Sequence, residues 1–139
     1  MKTLRNLAVV AALGMVASIA ATPATASAEG YLVTRCAGGG YGIELKVRYL
    51  TSATNHAFTQ VSWRLSGAVG GDNTVRVHFV QDAQPDVTFK VFNYTGGRTG
   101  MRNISVVRPK PHQVFVKLGA RFDTSASSDP GCTSRTRGV

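Results

Sequence analysis

The chain has 139 residues, with 16 Lys and Arg against 7 Asp and Glu, which gives a formal net charge of +9. This length is enough for one domain with a hydrophobic core and too short for two, and no apolar run beyond the first segment reaches the length of a membrane span. The positive charge favours anionic partners, which include acidic proteins, acidic wall polymers and nucleic acid, although a basic surface can also serve solubility alone.

The first segment has the three parts of an export signal. Lys2 and Arg5 give it a positive start, residues 7–19 form an apolar run, and Ala-Ser-Ala at 26–28 is the small-residue pattern after which a signal peptidase cuts. We therefore predict a signal peptide over residues 1–28 and a secreted, extracellular protein. The apolar run is too short for a lasting membrane span, and no cysteine directly follows the cut site, so we expect no membrane anchor.

The two cysteines, Cys36 and Cys132, lie near opposite ends of the predicted mature chain. Disulfides persist in the oxidising space outside the cytoplasm, so we predict a bond between them. In the chain-entropy description, closing so long a loop stabilises the fold by about 4–5 kcal/mol. Free thiols or a metal pair are the alternative, but no further metal ligands lie close by in the sequence, so we expect no metal and no cofactor.

From residue 29 onward, apolar and polar residues alternate in about seven short runs, each typical of a strand with one buried face. Gly- and Pro-rich turn segments separate the runs. The runs cover residues 31–36, 43–49, 59–65, 75–79, 87–91, 104–106 and 114–122. No helical period occurs, so the pattern predicts a single all-β domain over residues 29–139. The expected architecture is an antiparallel β-sandwich, with a small β-barrel as the alternative.

The strand number, the strand length and Trp63 on an early central strand resemble an immunoglobulin-like sandwich. In a true immunoglobulin domain the disulfide joins central strands of the two sheets, whereas a bond between the two cysteines of this chain ties its ends. Residues 123–131 are polar and rich in turn formers, so we expect Cys132 alone to hold them in place. The final residues, 133–139, are then predicted to form a loose basic tail.

The histidines, His56, His78 and His112, occupy different strands or loops and show no catalytic spacing. No two carboxylates lie close enough in sequence to suggest an acid–base pair. On a strand, His78 and Asp82 would stand about 13 Å apart, too far to share a metal ion. The sequence therefore predicts a protein that is not an enzyme.

By strand parity, one set of large apolar residues falls on the face opposite the core, together with cations. The apolar members are Phe58, Val80, Phe92, Tyr94 and Phe115, and the cations are Arg64, Arg76, Lys90, Lys117 and Arg121. Monomers seldom expose a contiguous apolar patch, so this face is predicted to bind a protein, with Lys90, Phe92, Tyr94 and Phe115 in contact. A β-bulge is the alternative, because it would invert the parity and send the aromatic residues inward.

The glycine-rich connection Gly96–Gly100 carries Arg98, and Arg102 follows it. We predict an exposed and flexible segment here. One interpretation is a binding loop that presents both arginines to a partner, and the other is a plain hairpin with solvated arginines. It is not a phosphate-binding loop, because no helix follows to bring its N-terminus to an anion.

The start of the predicted mature chain is apolar and prone to form a strand. It contains Tyr31, Leu32, Val33 and Thr34. Such a segment can pair with its own sheet, or it can be donated to a cleft or sheet edge of a partner.

An Ala-rich signal ending in Ala-Ser-Ala at 26–28, a basic β domain and one terminal cysteine pair resemble the small secreted proteins of actinobacteria. Within that group, the size and layout are similar to the adaptor subunit of umbrella toxin particles, which mediate competition between related bacteria. That adaptor links a repeat-built stalk to lectin-bearing subunits. The resemblance implies that residues 31–34 form an inserted segment and that the aromatic and basic face grips an acidic stalk.

Two other functions stay open at this point. A secreted inhibitor of a trypsin-like hydrolase is also small and closed by disulfides, and Arg35 or Arg98 would be its reactive residue. The actinobacterial subtilisin inhibitors carry more cysteines than this chain. A binder of anionic wall polymer would act through charge alone. In each case the expected partner is extracellular, and a secreted protein with an acidic surface is favoured over nucleic acid.

Overall fold

The computed structural model describes residues 27–139, so the predicted signal peptide lies outside the described residues except for its last two positions. The described chain forms eight β-strands: β1 (Ala28–Gly38), β2 (Tyr41–Thr51), β3 (Asn55–Ser66), β4 (Asn73–Gln81), β5 (Val87–Gly96), β6 (Thr99–Pro109), β7 (Val114–Arg121) and β8 (Gly131–Arg135). None of residues 27–139 belongs to a helix that could cross a membrane.

The strands form two antiparallel sheets, which confirms the predicted all-β sandwich. The first sheet has the order β1-β2-β3-β6, and the second has the order β5-β4-β7-β8. The chain changes sheet between β3 and β4, between β5 and β6, and between β6 and β7. Crossings of this kind are typical of the Greek-key connections in immunoglobulin-like sandwiches.

The core lies between the two sheets and is built from the period-two pattern. Leu45 and Val47 of β2 and Val77 of β4 are fully buried, while the polar residues between them point outward. The buried cluster also includes Ile43, Val61, Trp63, Leu65, Val75, Phe79, Val114, Val116, Leu118 and Phe122. Burying these side chains supplies the main favourable term for folding.

Two β-bulges change which side chains reach the core. In β3, Thr59 is left out of the pairing with β2, because Arg48 pairs with Gln60 and Tyr49 pairs with Phe58. The extra residue turns Phe58 inward, where it is fully buried, so its predicted outward position is wrong.

The second bulge lies in β5. Phe79 of β4 pairs with Lys90 and Val80 pairs with Thr88, which leaves Phe89 without a direct partner. Beyond the bulge, Phe92 and Tyr94 turn towards the core, while Val91 is 41% exposed. The predicted parity of this strand is therefore wrong after Phe89.

The disulfide between Cys36 and Cys132 is present and joins β1 to β8, with 5.8 Å between the two Cα atoms. Beside it, the Thr34 hydroxyl donates a hydrogen bond of 2.9 Å to the Ser134 hydroxyl. The first and last strands therefore close one long side of the sandwich. The bond links the two sheets at their edges and not through their central strands.

The predicted loose tail is wrong, because β8 pairs with β7 and adds an eighth strand. The backbone N–H of Thr136 donates to the carbonyl oxygen of Val116 at 2.9 Å, and Val139 exchanges two backbone hydrogen bonds with Val114. Thr136 is buried. The last residues thus satisfy the backbone groups along β7, which would otherwise form an open edge.

Asn73 organises the loops at one end of the sandwich. Its amide nitrogen donates to the carbonyl oxygens of Gly70 and Gly96, and its amide oxygen accepts from the backbone N–H of Asp123. Asn73 is 1% exposed, so these three bonds satisfy a buried polar group. One side chain thereby joins the β3–β4, β5–β6 and β7–β8 connections.

Candidate functional site

The long side of the sandwich opposite the disulfide is formed by β5 and β6. These strands are the outer strands of the second and the first sheet, and each pairs with one neighbour only within residues 27–139. We call this side, with the side chains of Trp63, Lys90, Phe92, Tyr94 and Arg102, the open side. It presents two unpaired backbone edges of 10 and 11 residues.

Aromatic rings line the open side in a continuous row. The Tyr94 ring stacks on Trp63 with 5.2 Å between ring centroids, and on Phe92 with 5.9 Å. Phe92 in turn meets Phe79 edge-on at 5.9 Å. Phe92 and Tyr94 are half-buried, so the row runs from the hydrophobic core to the surface.

Cations stand over three aromatic rings of this side. The Lys90 ammonium lies 5.3 Å from the centroid of the Phe92 ring, and the Arg102 guanidinium lies 5.7 Å from the Trp63 ring. Farther along the same side, the Arg108 guanidinium stands 4.3 Å from the Phe89 ring. Within the described chain no carboxylate forms an ion pair with any of these cations. The open side is therefore apolar and positively charged.

Gly100 explains how Trp63 reaches the open side. The two residues are directly opposite each other on β3 and β6, and a Cβ atom at position 100 would collide with the indole ring. Because Gly100 has no side chain, the indole lies across β6 and fills the space beneath the crossing from β5 to β6. The sequence signal was present in Gly96–Gly100, but the packing role of this glycine was not predicted.

Two buried polar atoms of the open side lack a hydrogen-bond partner among residues 27–139. They are the indole nitrogen of Trp63 and the hydroxyl oxygen of Tyr94. Trp63 is 4% exposed, and burial also raises the pKa of Tyr94 above its ordinary value. An unsatisfied buried donor costs about 1–3 kcal/mol, so these two groups lower the stability of the free protein.

Exposed apolar side chains flank the same strands. Val87 and Val91 of β5 are 46% and 41% exposed, and Met101 and Val107 of β6 are 60% and 56% exposed. They are four of the six large hydrophobic residues that the described chain exposes. Exposed hydrophobic residues on unpaired strands are frequent at protein interfaces.

The structure brings together four of the six predicted surface residues and places Phe115 and Arg98 elsewhere. Lys90, Phe92, Tyr94 and Arg102 meet on the open side, where the aromatic residues face between the sheets and not outward. Phe115 lies apart, on the outer face of the second sheet, and is 5% exposed. The prediction of an exposed Phe115 is wrong, because Lys117 and Arg135 stand over its ring at 5.4 Å each. Val80 lies opposite it on β4 and is fully buried.

Arg98 lies on the crossing from β5 to β6, which joins the two sheets and is not the plain hairpin that was considered. Its guanidinium donates to the carbonyl oxygen of Gly67 at 2.8 Å, and its own carbonyl accepts from the N–H of Leu65 at 2.7 Å. Arg98 is exposed but anchored at both its side chain and its backbone.

The segment of Tyr31, Leu32, Val33 and Thr34 lies within β1, which pairs with β2 along 11 residues. Leu32 and Thr34 point into the sandwich and are 5% and 7% exposed, whereas Tyr31 and Val33 point outward and are 55% and 41% exposed. Of the two roles considered for this segment, pairing with its own sheet is the one that the structure contains.

The histidines lie apart from one another. His56 is buried and its Nδ1 atom lies 3.0 Å from the Thr51 hydroxyl, while Nδ1 of His112 lies 3.1 Å from the Gln81 amide. His78 is on the outer face of β4, where burial and the charges of Arg76 and Lys117 lower its pKa. No histidine within residues 27–139 bonds to a carboxylate, and those residues contain no cluster of metal-ligating side chains.

Comparison of the chain with protein-family models, with curated proteins and with solved structures found no match.

Proposed function

We propose that this protein is a non-enzymatic, extracellular binding module whose open side docks a secreted protein with an acidic surface. One observation carries the proposal: the open side combines half-buried aromatic rings, unpaired cations and two buried polar atoms without partners. Interfaces concentrate aromatic residues and arginine in this way, and an acidic partner would neutralise Lys90 and Arg102.

The backbone edges support the same mode of binding. The free edges of β5 and β6 lie beside the aromatic row, and an unpaired strand can accept a further strand from a partner. Backbone pairing would give affinity, while the aromatic and basic side chains would select the partner. Acceptor groups of the partner would satisfy the Trp63 and Tyr94 donors on docking.

A second exposed pair supports a role as an adaptor between two partners in a secreted toxin assembly. Tyr31 and Val33 lie on β1, the strand that closes the opposite long side of the sandwich. Two separated apolar surfaces allow one small domain to hold two proteins at once. In this proposal β1 stays in its sheet and offers only its outward residues, because Leu32 and Thr34 belong to the core.

The inhibitor alternative has less support from the geometry. Arg35 lies within β1 and forms an ion pair with Glu44, and the Arg98 guanidinium is bonded to Gly67. Neither arginine stands at the tip of a projecting loop, which is where a reactive residue would enter the cleft of a protease.

The proposal is tested by affinity capture of secreted proteins from native culture medium, followed by mass spectrometry. We expect Arg102→Glu to lose a partner that the unchanged protein captures, since it reverses a charge on the open side. Arg64→Glu is the matched control, because Arg64 is an exposed arginine of β3 without an ion pair in the described chain. Equal capture by both variants would contradict docking at the open side.

The adaptor role has its own test in the same assay. Replacing Tyr31 and Val33 together by serine should release a different partner and keep the one that Arg102→Glu loses. Stoichiometric inhibition of a trypsin-like protease, relieved by Arg98→Ala, would instead support the inhibitor. Circular dichroism of each variant shows whether the fold is intact.

A further inference from the structure

The outer face of the second sheet contains a shallow groove that the open side does not include. Gly119 of β7 forms its floor and lies directly between Arg76 of β4 and Thr133 of β8 in the pairing register. Two adjoining depressions of 610 and 490 Å³ share these three residues. Glycine leaves the depression open, because an added Cβ at position 119 would meet only the Arg76 Cβ atom, at 3.9 Å.

Four cations surround the floor of this groove. Their positions follow from the strand register, in which Lys117 lies opposite Arg135 and Arg121 lies opposite Gly131. Arg76 completes the set from β4, where its Nε donates to the Asn93 side chain at 2.9 Å. Lys117 and Arg121 are four residues apart on one strand, so they stand about 13 Å apart at opposite ends of the groove.

The charge of this groove is only partly neutralised. Asp86 and Asp129 approach from flanking loops, with distances of 3.6 Å to the Lys117 ammonium and 3.5 Å to the Arg121 guanidinium. Arg76 and Arg135 have no ion pair within the described chain. His78 follows Arg76 on the same face of β4 and lies opposite Lys117 of β7. Burial and the charges of these two cations lower the pKa of His78.

On the outer face of the first sheet, carboxylates lie on the strands beside the cations. There Glu44 pairs with both Arg35 and Lys46, and Glu29 pairs with Arg48 at 2.8 Å. These carboxylates belong to the strands themselves. The strands that line the groove, β4, β7 and β8, contain no carboxylate, and Arg76 and Arg135 are available to an external anion.

The groove lacks the apolar anchors that a protein partner would need. None of the six exposed large hydrophobic residues of the described chain lines it, and Phe115 beneath Lys117 and Arg135 is buried. Small and polar residues line it, among them Thr74, Thr133, Gly119 and Ala120, with Leu118. Protein interfaces depend on buried aromatic and aliphatic anchors, so this surface suits a hydrophilic anionic chain better.

We propose that this groove binds a polymer that carries phosphate groups along its backbone. Three of the four cations are arginines, whose planar guanidinium groups form paired hydrogen bonds with phosphate oxygens. Thr74 and Thr133 supply hydroxyl groups between the cations. The length of the groove lets more than one phosphate of the same chain bind. This site is independent of protein docking at the open side.

The first test is calorimetric titration of the purified protein with inorganic tripolyphosphate. We expect Arg76→Gln together with Arg135→Gln to weaken binding at least roughly tenfold, since two charge-assisted contacts are lost. Lys46→Gln together with Arg64→Gln is the control, because it removes the same net charge from the outer face of the first sheet. An equal loss of affinity in both variants would mean binding by overall charge, and it would overturn the proposal.

Gly119→Val tests the shape of the site without changing its charge. The added side chain fills the floor of the groove, while the neighbouring atoms leave room for its Cβ. We expect weaker binding of tripolyphosphate with no fall in the midpoint of thermal unfolding, since valine favours strands more than glycine does. Unchanged affinity would overturn the assignment of the anion to the groove.

His78 provides a local readout of occupancy. A phosphate beside Arg76 and Lys117 would offset the positive charge that lowers the His78 pKa, so this pKa should rise in NMR titrations when tripolyphosphate is added. His56 is the internal control, because it lies on β3 in the first sheet. If a poly-glutamate peptide of similar charge binds more tightly and causes the same shift, the groove is a site for an acidic protein, and the proposal fails.

Discussion

At the side formed by β1 and β8, the Cys36–Cys132 disulfide and the bond from Thr34 to Ser134 join the two sheets. The side formed by β5 and β6 has no covalent link in the described chain. It is held by packing of side chains, among them Trp63, and by two hydrogen bonds from the Arg108 guanidinium of β6 to the Gln81 side chain of β4. The covalent side fixes the relative position of the sheets. The other side can therefore keep unsatisfied donors and free edges without letting the sandwich open.

Removing the disulfide should destabilise the protein more than any other change considered. Replacing Cys36 and Cys132 together by serine should lower the free energy of unfolding by about 2–5 kcal/mol, because the unfolded chain regains the freedom of a long loop. Urea denaturation followed by tryptophan fluorescence measures the change. A loss smaller than that of a single open-side variant would show that packing, and not the disulfide, holds the sheets together.

Gly100→Ala should disturb the packing of Trp63 on the open side. The new methyl group collides with the Trp63 ring, so we expect a loss of about 1–3 kcal/mol of stability and a changed near-ultraviolet spectrum. Gly97→Ala is the matched control in the same connection, because an added Cβ there meets no atom within 4 Å. If both variants unfold alike, Trp63 does not depend on close packing against β6.

Tyr94→Phe should affect stability in the opposite direction to Gly100→Ala. It removes a buried hydroxyl without a partner, so the free protein should become more stable by about 1 kcal/mol while its partner binds less tightly. Tyr31→Phe is the control for stability alone, because the exposed Tyr31 hydroxyl donates to Glu29 at 3.1 Å and is solvated. Chemical denaturation and affinity capture together measure the two effects, and a destabilised Tyr94→Phe would contradict the proposal of an unsatisfied donor.

The smallest effect concerns pH. Burial lowers the pKa of His56 and of His78 below the ordinary value of 6.5, with smaller contributions from nearby cations. As the pH falls below about 6.5, the unfolded chain takes up these protons before the folded one does, so stability falls on acidification and is constant above that range. Thermal unfolding between pH 7.5 and about pH 5 measures this slope. His56→Gln and His78→Gln should each flatten it, and an unchanged slope in both would assign the acid sensitivity to other groups.

Much of the fold was predictable because its signals are local. Alternation such as that of Ile43 to Tyr49 determines which face of a strand is buried, and two cysteines allow only one pairing within the chain. β8 was missed because its residues are polar. It forms a strand because its backbone pairs with the edge of β7.

The candidate site was only half predictable. Four of the six predicted surface residues, Lys90, Phe92, Tyr94 and Arg102, meet in space, but the bulge at Phe89 that turns two of them inward leaves no mark in composition. Their grouping also depends on β5 and β6 being the outer strands of opposite sheets. Sheet order arises from the packing of the whole domain, which no single segment of sequence contains.

The Cys36–Cys132 bond joins residues 96 positions apart and so encloses all seven connections between the described strands. A protease that cuts any one of these exposed loops produces two fragments that stay attached to each other through sulfur. The nicked molecule can keep its hydrogen-bonded sheets and both of its surfaces. A domain linked in this way tolerates cleavage in protease-rich surroundings, and gel electrophoresis with and without a reducing agent would display such cuts.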